Sequence, residues 1–387
     1  MRVLFTIPKS LSDASRVYEE AKTLIQNDHE VTFITWDYYG IDTQKKWNSI
    51  NVIPISKFKI MKSIPFPFLW QFLWRIKAYK IALQINIKKP FDIIHCVDIG
   101  SLPLGVRLKK KLGIPLIYEA RELFFDYMAP RIVLINNIII EKFFLSDVSR
   151  IICPNELRSK AYAKYHNLKN IPFVIRNVTN NIKIKSNQDL KKYIQPYFDN
   201  LKNKKLLLYI GGIIPERGLK KAIIESKKFD KNIIFVLVGP TYHNYDEKLK
   251  HLVEKHSLNN RVIILPKVSR EKALKFMNST DAALIIYENV SLNNYLCSPR
   301  KMWELVQTNT PIIGCNLPEI SKMIQKYKIG LKFDLKKSGS LAKAVNNLLN
   351  NFSLINNIKK NVKKVSRIYC WEKESEKLLH LYENLVK

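Results

Sequence analysis

Acidic residues, glycine and paired cysteines are all scarce in this chain of 387 residues. It has 33 acidic residues against 65 basic ones, so its formal net charge is +32. Only 11 glycines and 17 prolines are present, and no segment is of low complexity. Hydrophobic residues make up 47% of the chain, which is a globular composition and enough for two domains, each with its own core.

The number and spacing of the cysteines indicate the cellular compartment expected for the protein. The five cysteines include no C-x-x-C pair, which argues against a disulfide framework and against common zinc motifs. Free thiols of this kind suit a reducing compartment, so a cytoplasmic location is expected. No apolar run approaches the roughly 18–20 residues that a membrane-spanning helix needs.

The positive charge allows three classes of partner: nucleic acid, an anionic membrane surface or a polyanionic substrate. The lysines are spread along the chain, and no RNA-binding or zinc-finger signature is present. We therefore expect no nucleic-acid partner.

Predicted strands and helices alternate through both halves of the chain, which favours an α/β fold with parallel sheets. The predicted strands cover residues 3–7, 31–36, 51–55, 92–96, 115–118, 150–153, 205–210, 233–238, 262–265, 282–286 and 312–315. Ligands of such sheets bind at the carboxyl ends of the strands. No G-x-G-x-x-G follows any strand, which argues against a dinucleotide-dependent oxidoreductase.

The most informative stretch is a predicted helix start after the apolar run 282–286. Ser298 is expected to be the N-cap and Pro299 the first helical residue, with the helix running to about residue 308. Arg300 and Lys301 then lie at the positive end of the helix dipole, which costs roughly 0.3–1 kcal/mol per charge. An anion bound at that end would reverse the sign of the effect.

Glu304 lies one turn further along this helix and has two interpretations. Its carboxylate could accept both hydroxyls of a ribose, as acidic residues do in dinucleotide folds. Alternatively, it pairs with Arg300 at i, i+4 spacing on a solvated face.

A second anion-binding element follows the strand 205–210. Gly211 and Gly212 form a turn that allows a ligand close to the backbone. Arg217, just before Gly218, lies at a helix entrance and suits a diphosphate.

Residues 287–304 read Y-E-N-V-S-L-N-N-Y-L-C-S-P-R-K-M-W-E. This stretch resembles the donor-site segment of the retaining glycosyltransferases of family 4, which have the GT-B fold, in the form Y-x-x-x-S-L-N-N-Y-x-C-S-P-x-K-x-x-E. The resemblance implies that Glu304 holds the donor ribose and that the turn before the helix faces the pyrophosphate and sugar. Many relatives carry a second glutamate eight residues earlier, and here that position is Leu296.

Two N-terminal stretches are also similar to this family. Residues 92–103 match D-x-x-H-x-x-D-x-x-x-L-P, which places Asp98 at a strand end for a sugar hydroxyl and His95 in the core. Residues 118–124 read Y-E-A-R-E-L-F, where relatives have Y-D-x-H-E-L-F. Arg121 replaces the histidine; it cannot act as a base but can hold a phosphate or carboxylate. Glu119 or Glu122 could supply a base, or either could be an ion-pair partner of Arg121.

Two further features remain open between a functional and a structural interpretation. Arg16 is either a contact for an acceptor or donor phosphate or an ordinary surface arginine. Residues 57–89 mix aromatic and basic side chains, which is typical of an interfacial membrane segment, but a core helix with a basic outer face fits equally.

The resemblance therefore implies a GT-B fold of two doubly wound Rossmann-like domains facing a central cleft. Residues 1–185 would bind the acceptor, residues 186–365 the nucleotide sugar, and the helix 366–387 would return to the first domain. The implied reaction moves a sugar from a UDP- or GDP-sugar with retention of configuration and without a metal or other cofactor. The catalytic candidates are Asp98, Arg121 and Glu122, the acceptor candidates are Arg16 and Asp98, and the donor candidates are Gly211, Gly212, Arg217, Asn294, Ser298, Pro299, Lys301 and Glu304.

The expected acceptor is a lipid-linked or cell-surface glycan precursor, reached from a peripheral position on the inner face of an anionic membrane. Two alternatives stay open. One is a transferase of the same fold that acts on a soluble acceptor. The other is a non-catalytic, basic binding protein that has kept the fold.

Overall fold

The computed structural model describes residues 1–11, 15–37, 50–56, 67–182, 184 and 189–386. The chain forms two compact units. The first unit comprises Met1–Arg176 and Glu374–Lys387, and the second unit comprises Asn177–Lys373.

A parallel sheet of seven strands forms the centre of the first unit, in the order β3-β2-β1-β4-β5-β6-β7. Its strands are β1 (Arg2–Ile7), β2 (Glu30–Asp37), β3 (Asn51–Ser56), β4 (Ile93–Val97), β5 (Leu116–Glu119), β6 (Arg150–Cys153) and β7 (Phe173–Val174). Its helices are α1 (Ser15–Gln26), α2 (Pro67–Lys88), α3 (Leu102–Leu112), α4 (Arg131–Phe144) and α5 (Glu156–Tyr165).

The second unit repeats this plan with a parallel sheet of six strands, in the order β10-β9-β8-β11-β12-β13. Its strands are β8 (Lys205–Ile210), β9 (Ile233–Val238), β10 (Val262–Leu265), β11 (Ala282–Ile285), β12 (Ile312–Cys315) and β13 (Gly330–Phe333). Its helices are α6 (Asp189–Ile194), α7 (Leu219–Glu225), α8 (Tyr245–Lys255), α9 (Arg270–Ser279), α10 (Leu292–Tyr295), α11 (Arg300–Gln307), α12 (Pro318–Tyr327), α13 (Ser340–Leu349) and α14 (Phe352–Ile368). The last helix, α15 (Trp371–Val386), begins in the second unit and ends in the first.

Continuous apolar runs explain why these strands are central. All six residues of β9, I-I-F-V-L-V, are buried, as expected for a strand covered by helices on both faces. The predicted α/β architecture with two doubly wound sheets is confirmed. The sequence did not predict β7 and β13, which are short edge strands of two and four residues without a fully buried run.

In each sheet the order of the strands reverses at one point, and ligands of such folds bind at this switch point. In the first unit this switch lies between β1 and β4, and in the second it lies between β8 and β11. The loops after these four strands therefore position any functional side chains.

A buried polar cluster underlies the switch point of the first unit. The Nε atom of Arg16 lies 2.9 Å from Glu20 Oε1 and 2.6 Å from Glu119 Oε1, and all three residues are buried. His95 on β4 is fully buried, and its Nδ1 lies 2.5 Å from the hydroxyl of Tyr382 on α15. His95 is thus a core histidine, as expected, and Tyr382 packs into the core of the first unit.

The cluster holds fewer positive charges than carboxylates. Burial and the positive charges of Arg16 and Arg121 lower the pKa of His95 to about 3, so the imidazole is neutral. Burial and the carboxylate of Glu119 raise the pKa of Glu20 to about 8, although Arg16 acts in the opposite direction. Arg16 therefore balances one carboxylate, and Glu20 keeps its proton near neutral pH.

The aromatic and basic segment proposed for a membrane surface, residues 57–89, begins outside the described residues and continues as α2. Trp74 is fully buried and donates to the carbonyl oxygen of Thr35 at 3.2 Å, so one face of α2 belongs to the core. Phe72 and Ile87 are 53% and 83% exposed on the other face. Within the described residues, no helix combines the length and the apolarity that crossing a bilayer requires.

Glu20 makes the stability of the first unit depend on pH. Between about pH 4.5, where the unfolded carboxyl titrates, and about pH 8, the folded state keeps a proton that the unfolded chain has released. Raising the pH through this window therefore lowers the free energy of unfolding. We expect Glu20→Gln, which stays neutral, to flatten this slope in urea denaturation of the full chain. Glu383→Gln, at an exposed position of the same unit, should leave the slope unchanged; an unchanged slope in Glu20→Gln would contradict the assignment.

Candidate functional site

The turn after β8 has a backbone that only glycine adopts readily. Gly211 has φ of 142°, which lies outside the regions favoured by other residues. A Cβ atom on Gly239, which follows β9, would lie 1.7 Å from the carbonyl oxygen of Gly211. Two adjacent loops thus meet with no side chain between them, and the hydroxyl of Tyr209 adds a bond of 2.7 Å to the carbonyl oxygen of Gly212.

Two cations converge on this turn over tyrosine rings. The Nζ atom of Lys301 lies 4.4 Å from the ring centre of Tyr209 and 4.9 Å from that of Tyr287. The guanidinium carbon of Arg217 lies 4.0 Å from the ring centre of Tyr287. A Cβ atom on Gly211 would lie 3.5 Å from Nζ of Lys301, so the glycine turn and the start of α11 come together.

Neither Lys301 nor Arg217 has a carboxylate partner in the part of the chain that the structure describes. Burial and the neighbouring charge of Arg217 lower the pKa of Lys301 to about 7. Cation–π contacts offset only part of the cost of bringing two positive charges together. The site therefore has an excess of positive charge, and an anion placed there would be attracted by both side chains.

Helix α11 begins one residue later than the sequence predicts. Its N-cap is Pro299, and Ser298 was the expected N-cap. The Ser298 hydroxyl is buried and has no hydrogen-bond partner among the described residues, so it does not cap the helix. Arg300 and Lys301 remain in the first turn, where the backbone N–H groups lack intrahelical acceptors.

Glu304 contacts two arginines. Nε of Arg300 lies 3.3 Å from Glu304 Oε1, which is the i, i+4 pair considered as the structural interpretation. Nε of Arg270, at the start of α9, lies 3.6 Å from the same oxygen, and Arg270 also donates to Thr179. Both guanidinium groups thus approach the same carboxylate oxygen, Oε1.

The remaining donor candidates form the loop before α11. Ser291 caps the short helix α10 by accepting from the backbone N–H of Asn294 at 3.1 Å. The side chain of Asn294 points back to the carbonyl oxygen of Glu288 at 3.4 Å. Leu296, at the place of the missing glutamate, is buried.

A second cluster lies at the switch point of the first unit. Asp98, directly after β4, has φ of 61°, a strained value for a residue other than glycine. Its carboxylate accepts from Arg121 Nε at 2.7 Å and also from Arg121 Nη2, and it lies 2.7 Å from Nζ of Lys9. Burial would raise the pKa of Asp98, but the charges of Arg121 and Lys9 hold it well below its usual range. Arg121 is therefore engaged by Asp98, and the group of three carries one net positive charge.

The other catalytic candidates have structural partners. Glu122 pairs with Arg158 at 2.9 Å and is 39% exposed. Glu119, the alternative base, lies in the buried cluster with Arg16. Arg16 is neither a surface arginine nor exposed to a ligand, because its guanidinium is buried against two carboxylates.

One group of side chains has the composition of a metal site. Glu20, His95 and Glu119 offer ligand atoms within 4.8 Å of one another. Arg16 already occupies one oxygen of each glutamate, so the guanidinium takes the place that a cation would need. Among the described residues this cluster is an ion-pair network of the core.

Several residues that complete these sites were given no role from the sequence. Tyr209 was assigned to the strand 205–210, and Tyr287 was noted only as the first residue of the segment 287–304, yet both rings lie under the cations of this site. Lys9 was given no role either, although its position two residues after β1 was an available signal. Arg270 had no signal of its own, because its contact with Glu304 joins helices far apart in the sequence.

Two family models match the chain over most of its length. The model described as "Glycosyltransferase Family 4" matches residues 14–178, and the model described as "Glycosyl transferases group 1" matches residues 194–365. A sequence search of curated proteins found no match.

Many solved structures share the fold of the whole chain. HepE from Anabaena, solved in complex with UDP and glucose, is similar with a TM-score of 0.78 at 15% identity, covering 100% of both chains. The sucrose-phosphate synthase from Thermosynechococcus elongatus has a TM-score of 0.75 at 15% identity, covering 100% of this chain and 99% of that one. A glycosyltransferase from Rickettsia africae has a TM-score of 0.77 at 15% identity, covering 100% and 98%.

The two family matches follow one another along the chain, and the second contains the glycine turn, Arg217, Lys301 and Glu304. The resemblance found in residues 287–304 is therefore confirmed. The chain belongs to glycosyltransferase family 4, among the group 1 glycosyl transferases, and has their two-domain GT-B fold.

Proposed function

We propose that the protein transfers a sugar from a nucleotide-diphosphate sugar and that the second unit binds this donor. The observation that carries the proposal is the pair of cations without carboxylate partners, Lys301 and Arg217, beside Gly211 at the switch point between β8 and β11. A diphosphate supplies the negative charge that this place lacks. The neighbour HepE, of the same fold, was solved with UDP and with UDP-glucose, which supports a donor of this class.

The same cations act on the chemical step. When the bond between the sugar and the diphosphate breaks, negative charge develops on the leaving oxygen. Arg217 and Lys301 are held in place by tyrosine rings, so they can stabilise this charge without rearranging. Since two fixed cations already supply the charge that a divalent ion supplies elsewhere, we propose a transfer that needs no metal.

Glu304 is proposed to orient the donor through its ribose. Arg300 and Arg270 approach its Oε1, and the proposed ribose hydroxyl donates to its other carboxylate oxygen. Asn294, Ser298 and Pro299 then line the loop that precedes α11, with Gly212 in the turn opposite. In this proposal the arginine pair and the ribose use different oxygens, so the two interpretations of Glu304 are compatible.

The first unit is proposed to bind the acceptor at Asp98 and Arg121. Asp98 is ionised at every physiological pH, because two cations hold its pKa low, so it can accept from a sugar hydroxyl. Arg121 and Lys9 leave the group with one net positive charge, which suits an acceptor that carries a phosphate. Glu122, partly exposed, remains a candidate base, and Arg16 would act only by supporting this site from the core.

Retention of configuration is proposed from the family resemblance, with no covalent nucleophile assigned. The acceptor class proposed is a lipid-linked glycan precursor at an anionic membrane. A transferase with a soluble acceptor is the alternative, and it predicts activity that does not depend on lipid.

Turnover of a panel of UDP- and GDP-sugars, with hydrolysis of the donor as readout, tests the donor site. Arg217→Met and Lys301→Met should each lower kcat/KM by about 100-fold to 1,000-fold, the usual cost of removing one electrostatic contact from a transition state. Lys220→Met, an exposed lysine on the same unit, is the matched control and should retain activity. If the wild type hydrolyses none of these donors and calorimetry shows no binding, the non-catalytic interpretation replaces this one.

Donor binding should also take up protons. The pKa of Lys301 is about 7 in the free protein, so at about pH 8.5 the side chain is largely neutral, and a bound diphosphate raises its pKa and recharges it. Titration calorimetry with a sugar nucleotide in two buffers of different ionisation enthalpy measures this uptake, which should approach one proton. The uptake falls to about half a proton near pH 7 and approaches zero at about pH 6, because the lysine of the free protein is then already charged.

Lys301→Arg is the matched variant for this measurement. Arginine keeps its charge at every pH used, so the variant should bind donor without taking up a proton. Equal proton uptake by Lys301→Arg and the wild type would show that another group titrates.

A further inference from the structure

Helix α4 in the first unit buries polar side chains and exposes apolar ones, which is the reverse of an ordinary amphipathic helix. Its polar residues Asn137 and Glu141 are buried, while Ile132 and Phe143 are each 66% exposed. Ile135 and Ile139 are 49% and 48% exposed between them, so apolar side chains follow one another at helical spacing along the outer face. We call Ile132, Ile135, Ile139 and Phe143 the α4 stripe.

The polar contacts of the buried face fix which side of α4 faces outward. Both Tyr118 and Tyr162 donate to Glu141 Oε1, at 3.1 and 2.7 Å, and His166 lies 3.1 Å from the other oxygen. Asn137 donates to the carbonyl oxygen of Phe124 at 3.3 Å. Rotating α4 to bury the stripe would expose the Glu141 carboxylate and break its three side-chain contacts. These contacts therefore keep the apolar face of α4 outward.

The charges around the stripe select its partner. The exposed charged residues of α4 are Arg131 and Lys142, and its single acidic residue is the buried Glu141. On the neighbouring helix α5, Lys160 and Lys164 are also exposed.

The acidic side chains of the adjoining segments are only partly exposed: Asp126 is half-buried, Asp147 pairs with Lys110 at 2.9 Å, and Glu156 pairs with Arg176. An apolar face flanked by exposed basic side chains complements an anionic lipid surface, with acyl chains under the stripe and lipid phosphates beside the cations.

A second copy of the chain fits this face poorly. In a two-fold contact between antiparallel α4 helices, Arg131 of one copy would approach Lys142 of the other, and no exposed carboxylate of either helix would compensate. The formal net charge of +32 opposes self-association as well.

The stripe lies next to the proposed acceptor site. Helix α4 packs against the turn Phe124–Asp126, which follows Arg121, and against the turn Ile99–Ser101, which follows Asp98. A lipid surface on the stripe would therefore lie beside the loops that carry Asp98 and Arg121.

We infer that the α4 stripe inserts into the headgroup region of an anionic membrane and so presents Asp98 and Arg121 to an acceptor held in that membrane. The second step rests on the proposed function, but the first does not. The inference also places the membrane contact on α4 and not on the segment 57–89 that the sequence suggested.

Co-sedimentation of the full chain with vesicles tests the surface. We expect the wild type to bind vesicles of phosphatidylcholine with phosphatidylglycerol more tightly than vesicles of phosphatidylcholine alone, and added salt to weaken this preference. The triple variant Ile132→Ser, Ile139→Ser and Phe143→Ser should lose binding by about 100-fold or more, because three large apolar side chains no longer leave water.

Two matched variants locate the contact. Leu69→Ser, Phe72→Ser and Ile87→Ser together remove exposed apolar side chains from α2, and Phe352→Ser with Ile368→Ser does so from α14 in the second unit. Both should bind the vesicles as the wild type does. Loss of binding in the α2 variant with binding retained in the α4 variant would overturn the inference.

Two further outcomes would also overturn it: no binding of the wild type to either vesicle, or a wild-type dimer in sedimentation velocity that the α4 variant abolishes. Thermal melting checks that each variant folds. Donor hydrolysis should be unchanged in the α4 variant, since the stripe lies outside both candidate sites. Loss of vesicle binding with intact hydrolysis is thus the supporting result, and a protein without hydrolysis still gives an interpretable vesicle result.

Discussion

The positive charge held over Tyr209 and Tyr287 is the constraint on which the proposed function of this molecule depends. Lys301 and Arg217 come from elements far apart in sequence, and the β8/β11 switch brings them to one place. Burial makes this arrangement unfavourable in the free protein, which is why the pKa of Lys301 falls to about 7. A site that is electrostatically incomplete by itself gains most from a ligand that brings two phosphates.

In the first unit, by contrast, most of the charged side chains at the switch point are paired. Asp98 is paired with both Arg121 and Lys9, and Arg16 is paired with two buried carboxylates, so little charge is left without a partner. In the proposed function this contrast gives the two units separate tasks. The excess positive charge of the second unit suits a strongly anionic ligand, whereas the first offers a preorganised carboxylate beside a helix whose apolar face is turned outward.

Much of the fold could be predicted from the sequence, because long buried strands such as β1 and β9 are continuous apolar runs. The short edge strands β7 and β13 lack that signal. At the donor site, the segment around Pro299 and Glu304 was recognisable since its residues lie close together in the chain.

Other parts of the sites could not be predicted, for physical reasons. Nothing local distinguishes Arg16, which is buried, from a surface arginine, since its two carboxylate partners come from α1 itself and from β5. The outward face of α4 was equally hidden, because an apolar helix is ordinarily expected to bury its isoleucines, and only the contacts of Glu141 reverse that expectation.

The contact between Gly239 and Gly211 has a consequence for how the glycine turn after β8 forms. Gly211 donates its N–H to Val238 at the end of β9, and the two loops touch through bare backbone. The conformation of the turn thus depends on the pairing of β8 with β9, and its local sequence alone does not determine it. The Gly211 amide should resist hydrogen exchange as strongly as the strand interior, and transplanting the Gly-Gly segment alone to another protein would not reproduce the geometry of this turn.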